Sequence, residues 1–307
     1  MENKLEVQVG DVRLKNPLIA ASGTMGFGRE ASLLYDPAVW GGIASKAVTV
    51  EPRIGNATPR VAEAPCGMLN SVGLQNPGLA YFLEKELPFM KKLGPCVIVN
   101  AAGQATDEYL KLTEALSAQE AVEVIELKLS CPNVTEGCMS IGTDPAQIEE
   151  LVSQVRKRSE KEIWVKLTPN VTSITEAALA AEAAGADAIS LVNTFLAMRI
   201  DIRRRRPVMP NVTGGLSGPA ILPIALRMVH EVYEAVDIPV VGMGGISSAE
   251  DVLEFMMAGA SAVQIGTAQL KDPYLPLKIS GRLPELLAEL GFASAADVTG
   301  SLEIERK

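Results

Sequence analysis

Three lysines stand in or beside apolar, strand-like segments, where they could act on a bound anion. Lys46 and Lys166 lie inside such segments, and Lys128 stands three residues before Cys131. A lysine buried in an apolar strand is unfavourable unless an anion offsets its charge. Each lysine alone could extend its amine to solvent, but together they predict a site for an anionic ligand. Other polar residues stand in or at the ends of the same kind of segment: Ser22, Asn100, Ser130, Cys131, Asn193 and Thr194.

Two glycine clusters end the last two strand-like segments. They are Val241-Gly-Met-Gly-Gly245 and Gln264-Ile-Gly-Thr267. Backbone N–H groups at such turns commonly bind phosphate in an α/β barrel. A purely structural need for tight turns is the alternative, but the paired position of the clusters favours a phosphate site.

Cys131 lies in Leu129-Ser-Cys-Pro-Asn133, and a glycine-containing loop follows it. Free cysteines are more often inert core residues than reactive groups. Its place directly after a strand nevertheless makes Cys131 a candidate catalytic residue. The chain has four cysteines without a Cys-x-x-Cys pair and one histidine, His230, so we expect no zinc or iron–sulfur centre within it.

The elements that must position these residues alternate between strands and helices, which predicts a parallel sheet. Eight strands are predicted at Leu18–Ser22, Ile43–Val48, Cys96–Ala101, Val124–Ser130, Ile163–Thr168, Ala188–Thr194, Pro239–Gly244 and Ala262–Thr267. Helical patterns cover Pro145–Arg158, Ile174–Ala184, Pro219–Ala235 and Ala249–Met257, and a short N-terminal hairpin covers Leu5–Val9 and Val12–Lys15. Eight strands in 307 residues predict a TIM (β/α)8 barrel as a single domain, 1–307, with long loops at 49–95 and 195–218 over its C-terminal face.

Composition limits the classes of function. A net charge of −9 argues against nucleic-acid binding, despite the short basic run Arg203–Arg206. The opening residues alternate like a strand and no apolar run is long enough to span a membrane, so we expect neither a targeting leader nor a membrane span. We therefore expect a cytoplasmic protein with reduced cysteines.

Several sequence blocks together resemble the dihydroorotate dehydrogenases, and specifically their class 1B branch. The blocks are Asn16-Pro-Leu-Ile-Ala-Ala-Ser-Gly-Thr24, Ser45-Lys46, Glu51-Pro-Arg53, Gly67-Met-Leu-Asn-Ser-Val-Gly-Leu-Gln-Asn-Pro77, Ser130-Cys-Pro-Asn133, Val165-Lys-Leu-Thr-Pro-Asn170 and Gly214-Gly-Leu-Ser-Gly-Pro219. The resemblance covers nearly the whole chain. It implies oxidation of (S)-dihydroorotate to orotate in de novo pyrimidine (UMP) biosynthesis, with tightly bound FMN.

The resemblance also implies a set of site residues. The implied FMN-binding residues are Ser22, Lys46, Ala47, Asn100, Lys128, Lys166, Val192, Gly218, Gly244, Gly245, Gly266 and Thr267. The implied substrate-binding residues are Lys46, Asn70, Ser71, Val72, Gly73, Leu74, Lys128, Asn133, Asn193 and Thr194. In the implied mechanism Cys131 removes a proton from C5 while hydride passes from C6 to flavin N5, and Lys166 stabilises the charge that develops on the flavin.

The implied partner is an electron-transfer subunit that carries FAD and a [2Fe–2S] cluster and passes electrons to NAD+. The implied assembly is a homodimer of barrels with two such subunits. The barrel's acidic balance suits a partner with basic patches.

One position departs from the family pattern, because Lys128 stands where the family usually has Asn. A lysine can only donate hydrogen bonds, whereas an amide donates and accepts them. Lys128 is expected to affect the flavin, Cys131 or the choice of substrate. Three alternatives remain open: a flavin-dependent enzyme for another pyrimidine such as uracil, a flavin-free barrel acting on a phosphorylated metabolite, and a non-catalytic binding subunit.

Overall fold

The computed structural model describes residues 4–129 and 141–304. Its strands, numbered in chain order, are β1 (Val7–Val9), β2 (Val12–Leu14), β3 (Leu18–Ala20), β4 (Gly42–Ala44), β5 (Val61–Ala64), β6 (Gly67–Asn70), β7 (Cys96–Ala101), β8 (Val124–Lys128), β9 (Glu162–Lys166), β10 (Ala188–Leu191), β11 (Phe195–Met198), β12 (Ile200–Asp201), β13 (Arg206–Pro207), β14 (Thr213–Ser217), β15 (Val240–Met243) and β16 (Ala260–Ile265).

The α-helices of the same ranges are Leu79–Tyr81, Leu87–Leu93, Thr106–Ser117, Pro145–Arg156, Ile174–Ala183, Leu222–Tyr233, Ala249–Met257, Thr267–Lys271 and Leu275–Leu290. A π-helical segment, Phe82–Glu86, joins the first two, and short 3-10 helices cover Ala31–Leu33, Pro37–Val39, Pro219–Ile221 and Ala296–Val298. Among the described residues, no helix is both long and apolar enough to cross a membrane.

Eight strands close into a parallel barrel in the order β3, β4, β7, β8, β9, β10, β15, β16 and back to β3. Their side chains are almost all buried, because the barrel interior covers one face and the helices cover the other. The predicted (β/α)8 barrel is confirmed. Strand β7 has the predicted bounds, whereas β3 ends at Ala20 rather than Ser22, because a turn begins at Ser22.

Side-chain caps fix where several of the helices begin. Asp144 Oδ1 accepts a hydrogen bond from Ala146 N at the start of Pro145–Arg156. Ser248 and Asp251 form a capping box before Ala249–Met257, with each side chain accepting from the other residue's backbone N–H. These caps orient the helices that cover the outer face of the barrel.

The two long excursions contain more structure than the expected loops. Strands β5 and β6 come from the first and β11 and β14 from the second, and they form one antiparallel sheet in the order β11, β14, β6, β5. The pairing joins distant segments, so the local pattern of either excursion does not predict it. This upper sheet places β6 and β14 beside the C-terminal ends of the barrel strands.

The predicted N-terminal hairpin is confirmed as β1 and β2, and its turn meets the N-terminal end of the barrel. Asp11 N donates to Glu162 Oε1 at 2.7 Å, and Glu162 is the first residue of β9. Val9 and Leu14 are fully buried. The hairpin therefore covers the end of the barrel opposite the upper sheet.

Candidate active site

A cleft that is open to solvent lies where the barrel strands end and the upper sheet begins. The predicted site residues that line it are Ser22, Lys46, Ala47, Asn70, Val72, Gly73, Leu74, Lys128, Lys166, Val192, Asn193, Thr194, Gly218, Gly244, Gly245, Gly266 and Thr267. The fold therefore brings residues that are widely separated in sequence into one cleft, at the face where (β/α)8 barrels carry their active sites.

Four predicted residues are not placed in this lining. Ser71 is buried beside it, where its carbonyl and hydroxyl oxygens accept hydrogen bonds from Asn56 Nδ2 at 3.2 and 3.1 Å. Asn100 lies in the barrel interior and is fully buried. Cys131 and Asn133 lie outside the described residues.

Three lysines, Lys46, Lys128 and Lys166, give the cleft its charge. Within the described part of the chain, no carboxylate is among the lining residues. Lys128 and Lys166 are partners in the register of β8 and β9, so their side chains leave neighbouring strands at the same level. The lining therefore favours an anionic ligand.

Lys166 is the most buried of the three, at 5% exposure. Its Nζ donates to Gln264 Oε1 at 3.3 Å and lies 3.7 Å from Glu126 Oε2. The pKa of Lys166 lies below its ordinary value, because burial and repulsion from Lys128 lower it more than the attraction of Glu126 raises it. Glu126 is therefore the group that favours the protonated amine.

Glu126 lies at the centre of a polar cluster inside the barrel and is fully buried. Its Oε1 accepts from Ser190 Oγ at 2.8 Å and from Gln264 Nε2 at 2.6 Å. Its Oε2 accepts from Asn100 Nδ2 at 2.5 Å. Three uncharged donors and a lysine thus surround a carboxylate that does not itself line the cleft.

The side-chain oxygen of Asn100 is a buried acceptor. Asn100 Nδ2 is committed to Glu126, and Oδ1 has no hydrogen-bond partner among the described residues. A buried, unpaired amide oxygen is unfavourable by about 1–3 kcal/mol. Asn100 Oδ1 can therefore accept a hydrogen bond from one additional donor.

The two glycine clusters differ in why they need glycine. Gly245 has φ +84°, and a Cβ there would lie 2.9 Å from the backbone nitrogen of Leu222. At Gly266 φ is −110°, and a Cβ would meet its nearest neighbours, Ala21 and Thr24, at 3.7 Å. Gly245 is thus required by the packing of the turn against a helix, whereas a Cβ at Gly266 would make only ordinary van der Waals contacts.

The loop after β6 carries several predicted substrate residues and contacts the 54–60 segment. Gly73 and Leu74 both have positive φ, at +72° and +57°. Asn56 N donates to Val72 O at 3.1 Å, and Arg60 Nη2 donates to Ile54 O at 2.9 Å. The start of this loop, at Val72, is therefore hydrogen-bonded to the 54–60 segment.

Sequence reasoning missed Glu126 and Ser190 in the interior and several cleft residues. The cleft residues missed are Ala21, Gly23, Thr24, Val61, Met68, Ser217, Ile221, Met243, Gln264 and Leu270. Glu126 and Gln264 carried the same signal as the lysines, because each interrupts an apolar strand with a polar group. Val61 and Met68 carried none, since the upper sheet that places them joins two distant segments.

Fold and cleft together define a (β/α)8 barrel whose cleft, at the C-terminal ends of its strands, has a lining that suits an anionic ligand. The family model described as dihydroorotate dehydrogenase matches residues 4–287. The chain therefore belongs to the dihydroorotate dehydrogenase family.

Three curated relatives share the printed name "Dihydroorotate dehydrogenase B (NAD(+)), catalytic subunit". The protein of Bacillus mycoides (strain KBAB4) is 50% identical over 298 residues, which are 97% of this chain and 96% of the relative. The protein of Bacillus pumilus (strain SAFR-032) is 50% identical over 96% of each chain. The protein of Geobacillus sp. (strain WCH70) is 51% identical over 97% of this chain and 95% of the relative.

Proposed function

We propose that this chain oxidises (S)-dihydroorotate to orotate in pyrimidine biosynthesis, with NAD+ as the final acceptor through a partner subunit. The observation that carries the proposal is the cleft with three lysines and no lining carboxylate in the described part of the chain. Dihydroorotate is a carboxylate, and FMN carries a phosphate, so both need such a cleft. The relatives' shared name, at about 50% identity over nearly full length, supports the same activity.

The described residues fit FMN on two observations. The isoalloxazine ring offers an N–H donor, and Asn100 Oδ1 is a buried acceptor without a partner among the described residues. The phosphate would be held at Gly244, Gly245, Gly266 and Thr267, which meet at one side of the cleft. The other residues that would hold the cofactor are Ser22, Lys46, Ala47, Lys128, Lys166, Val192 and Gly218. When bound, the flavin supplies the hydride acceptor.

The substrate would bind across the cleft from the glycine clusters. Lys46, Asn70 and the backbone at Gly73 and Leu74 would hold the carboxylate, because a cation and backbone donors pair well with it. Asn193 and Thr194, with Ser71 and Val72 supporting the loop, would orient the ring. Cys131 would remove the proton from C5, and Asn133 would bind the pyrimidine beside it; both assignments rest on the family resemblance.

A partner subunit is implied by the words "catalytic subunit" in the relatives' name. We propose that it carries FAD and a [2Fe–2S] cluster and binds a homodimer of this chain. We further propose that the chain acts in the cytoplasm as one domain, residues 1–307.

The test is an anaerobic absorption spectrum of the purified, FMN-loaded chain before and after addition of dihydroorotate. Bleaching of the flavin bands is the expected result and supports both cofactor and substrate. Uracil and dihydrouracil serve as matched controls, and a protein that responds to dihydrouracil alone would show that the substrate assignment is wrong. A chain that cannot be loaded with FMN would overturn the flavin assignment and favour a phosphorylated metabolite as ligand.

A further inference from the structure

The barrel interior beneath the cleft contains a polar cluster centred on Glu126 rather than the usual apolar layer. Its members, Glu126, Asn100, Lys166, Ser190 and Gln264, come from five different strands. (β/α)8 barrels commonly fill this space with branched aliphatic residues. A fully buried carboxylate is unfavourable by several kcal/mol unless it is paired and hydrogen-bonded. An interior that only had to be filled would not need Glu126.

Glu126 connects to the cleft by two routes. One is direct, since Lys166 Nζ lies 3.7 Å from Glu126 Oε2. The other passes through Gln264, whose Nε2 donates to Glu126 and whose Oε1 accepts from Lys166 Nζ. Lys166 and Gln264 line the cleft, so a change at Glu126 reaches it through both residues.

The carboxylate also fixes which way two amides point. A carboxylate only accepts hydrogen bonds, so Asn100 and Gln264 must each turn their NH2 group toward Glu126. Asn100 then keeps an oxygen as its remaining polar atom, and Gln264 presents its oxygen to Lys166. A neutral group at position 126 would remove this constraint.

We propose that Glu126 is a positioning residue that keeps Lys166 a cation beneath the flavin site and orients the amides of Asn100 and Gln264. The inference rests on the proposed function, because it assigns the cleft above the cluster to FMN. Glu126 acts through Lys166 and the amides and does not line the cleft itself. No catalytic step is assigned to it.

The charged groups that face Lys166 determine how its pKa should change when Glu126 is replaced. Among the described residues they are Glu126 and Lys128, both on β8, while Gln264 on β16 and Ser190 on β10 are uncharged. Burial and Lys128 lower the pKa of Lys166, and Glu126 opposes them. A neutral residue at position 126 leaves only the two influences that favour the uncharged amine.

The first experiment uses the full FMN-free chain with lysine labelled with ¹³C at Cε. The Lys166 resonance is assigned by its absence in Lys166→Met and titrated from about pH 6 to about pH 11. In Glu126→Gln we expect the acid dissociation constant of Lys166 to increase about 10- to 1000-fold. Glu126→Asp keeps the carboxylate, so the native titration should be largely restored.

Glu162→Gln is the matched control, because Glu162 is a barrel-strand carboxylate at the opposite end and does not contact Lys166. It should leave the Lys166 titration unchanged. An unchanged titration in folded Glu126→Gln would overturn the proposal. If Glu126→Gln does not fold, the native chain still decides, since a Lys166 that is neutral at pH 7 contradicts the inference.

The second experiment measures the two-electron midpoint potential of FMN bound to native chain, Glu126→Gln and Glu162→Gln. We expect a more negative potential in Glu126→Gln alone, because a cation beneath the flavin favours its anionic reduced form. An unchanged potential would overturn the role toward the flavin. Failure of the native chain to bind FMN would instead count against the proposed function and leave the lysine titration intact.

Discussion

The two ends of the barrel each hold a glutamate on a strand, and the two glutamates have different surroundings. Glu162, at the N-terminal end, is half-buried and accepts a backbone hydrogen bond from Asp11 in the hairpin turn. Glu126, beneath the cleft, is fully buried and is bonded by Asn100, Ser190 and Gln264. The first links a turn to the barrel, whereas the second controls side chains that face a ligand.

The two ends also differ in how much their interactions stabilise the fold. Burying a carboxylate and a lysine together is often no better than a well-packed apolar pair. Around the hairpin, by contrast, Val7, Val9, Val12 and Leu14 are buried in the main apolar core. The polar cluster around Glu126 thus lies beneath the cleft, whereas apolar side chains of the hairpin are packed at the opposite end.

The largest expected effect is at the C-terminal end and concerns Cys131. If Cys131 is the general base, Cys131→Ala should lower kcat for dihydroorotate about 10²- to 10⁴-fold, the usual contribution of such a group. FMN content and the unfolding temperature should stay native. Stopped-flow measurement of flavin bleaching gives the rate, and Cys96→Ala, which removes a buried core thiol from β7, serves as the control.

A native bleaching rate in Cys131→Ala would remove the cysteine from the mechanism. The cleft would then still bind its ligand through the three lysines. The two barrel ends would then differ in ligand binding but not in catalysis by Cys131.

Alanine substitutions in the two glycine clusters should give the next largest effects. They separate an effect on stability from an effect on FMN binding. Gly245→Ala forces a side chain onto φ +84° and against Leu222, so we expect a loss of about 2 kcal/mol or more in the free energy of unfolding. Gly266→Ala meets nothing closer than 3.7 Å, so stability should change by less than about 0.5 kcal/mol. Urea unfolding of the FMN-free chain measures both.

Gly266→Ala should change FMN affinity although it leaves stability nearly unchanged. If the phosphate lies against the Gly266 cluster, Gly266→Ala should weaken FMN binding while the fold stays intact. Fluorescence titration with FMN measures the affinity. Native FMN affinity in Gly266→Ala would place the phosphate elsewhere in the cleft.

Lys128→Asn should have a smaller effect and tests the residue that departs from the family pattern. It removes one of three lining cations, so we expect about tenfold weaker binding of orotate, the equivalent of one charge-assisted hydrogen bond. A spectral titration of the FMN-loaded protein gives Kd. Lys111→Asn, on an outer helix where Lys111 pairs with Asp107, is the control.

Unchanged orotate affinity and an unchanged ratio of rates with dihydroorotate and dihydrouracil would show that Lys128 has no special role. Tighter orotate binding would mean that the site discriminates against the added charge. Either result would leave Lys46 and Lys166 as the cations that bind the ligand.

Much of this architecture could be predicted from the sequence, because periodicity and composition are local properties. The eight barrel strands and the N-terminal hairpin follow from apolar runs and alternation, and β7 has its predicted bounds. The upper sheet could not be predicted in the same way, because β6 pairs with β14, about 145 positions later in the chain. Glu126 interrupts an apolar strand as the lysines do, but its role was missed because its hydrogen-bond partners lie on other strands of the barrel.

The smallest expected effect is at the N-terminal end of the barrel. It is a change in how the free energy of unfolding depends on pH. Burial raises the pKa of Glu162 above its ordinary value, and Asp11 N lowers it by a hydrogen bond. The folded chain therefore binds a proton more tightly than the unfolded chain, and this group adds stability as the pH falls from the raised pKa toward 4.5.

Glu162→Gln should remove that part of the pH dependence while kcat and the Lys166 titration stay native, because the hairpin turn is far from the cleft along β9. Unfolding curves of native chain and variant between about pH 4 and pH 7 measure the difference. Equal pH dependence would show that the burial of Glu162 does not favour its protonated carboxyl. A lowered kcat would contradict the separation of the two ends, because it would connect the N-terminal carboxylate to the cleft.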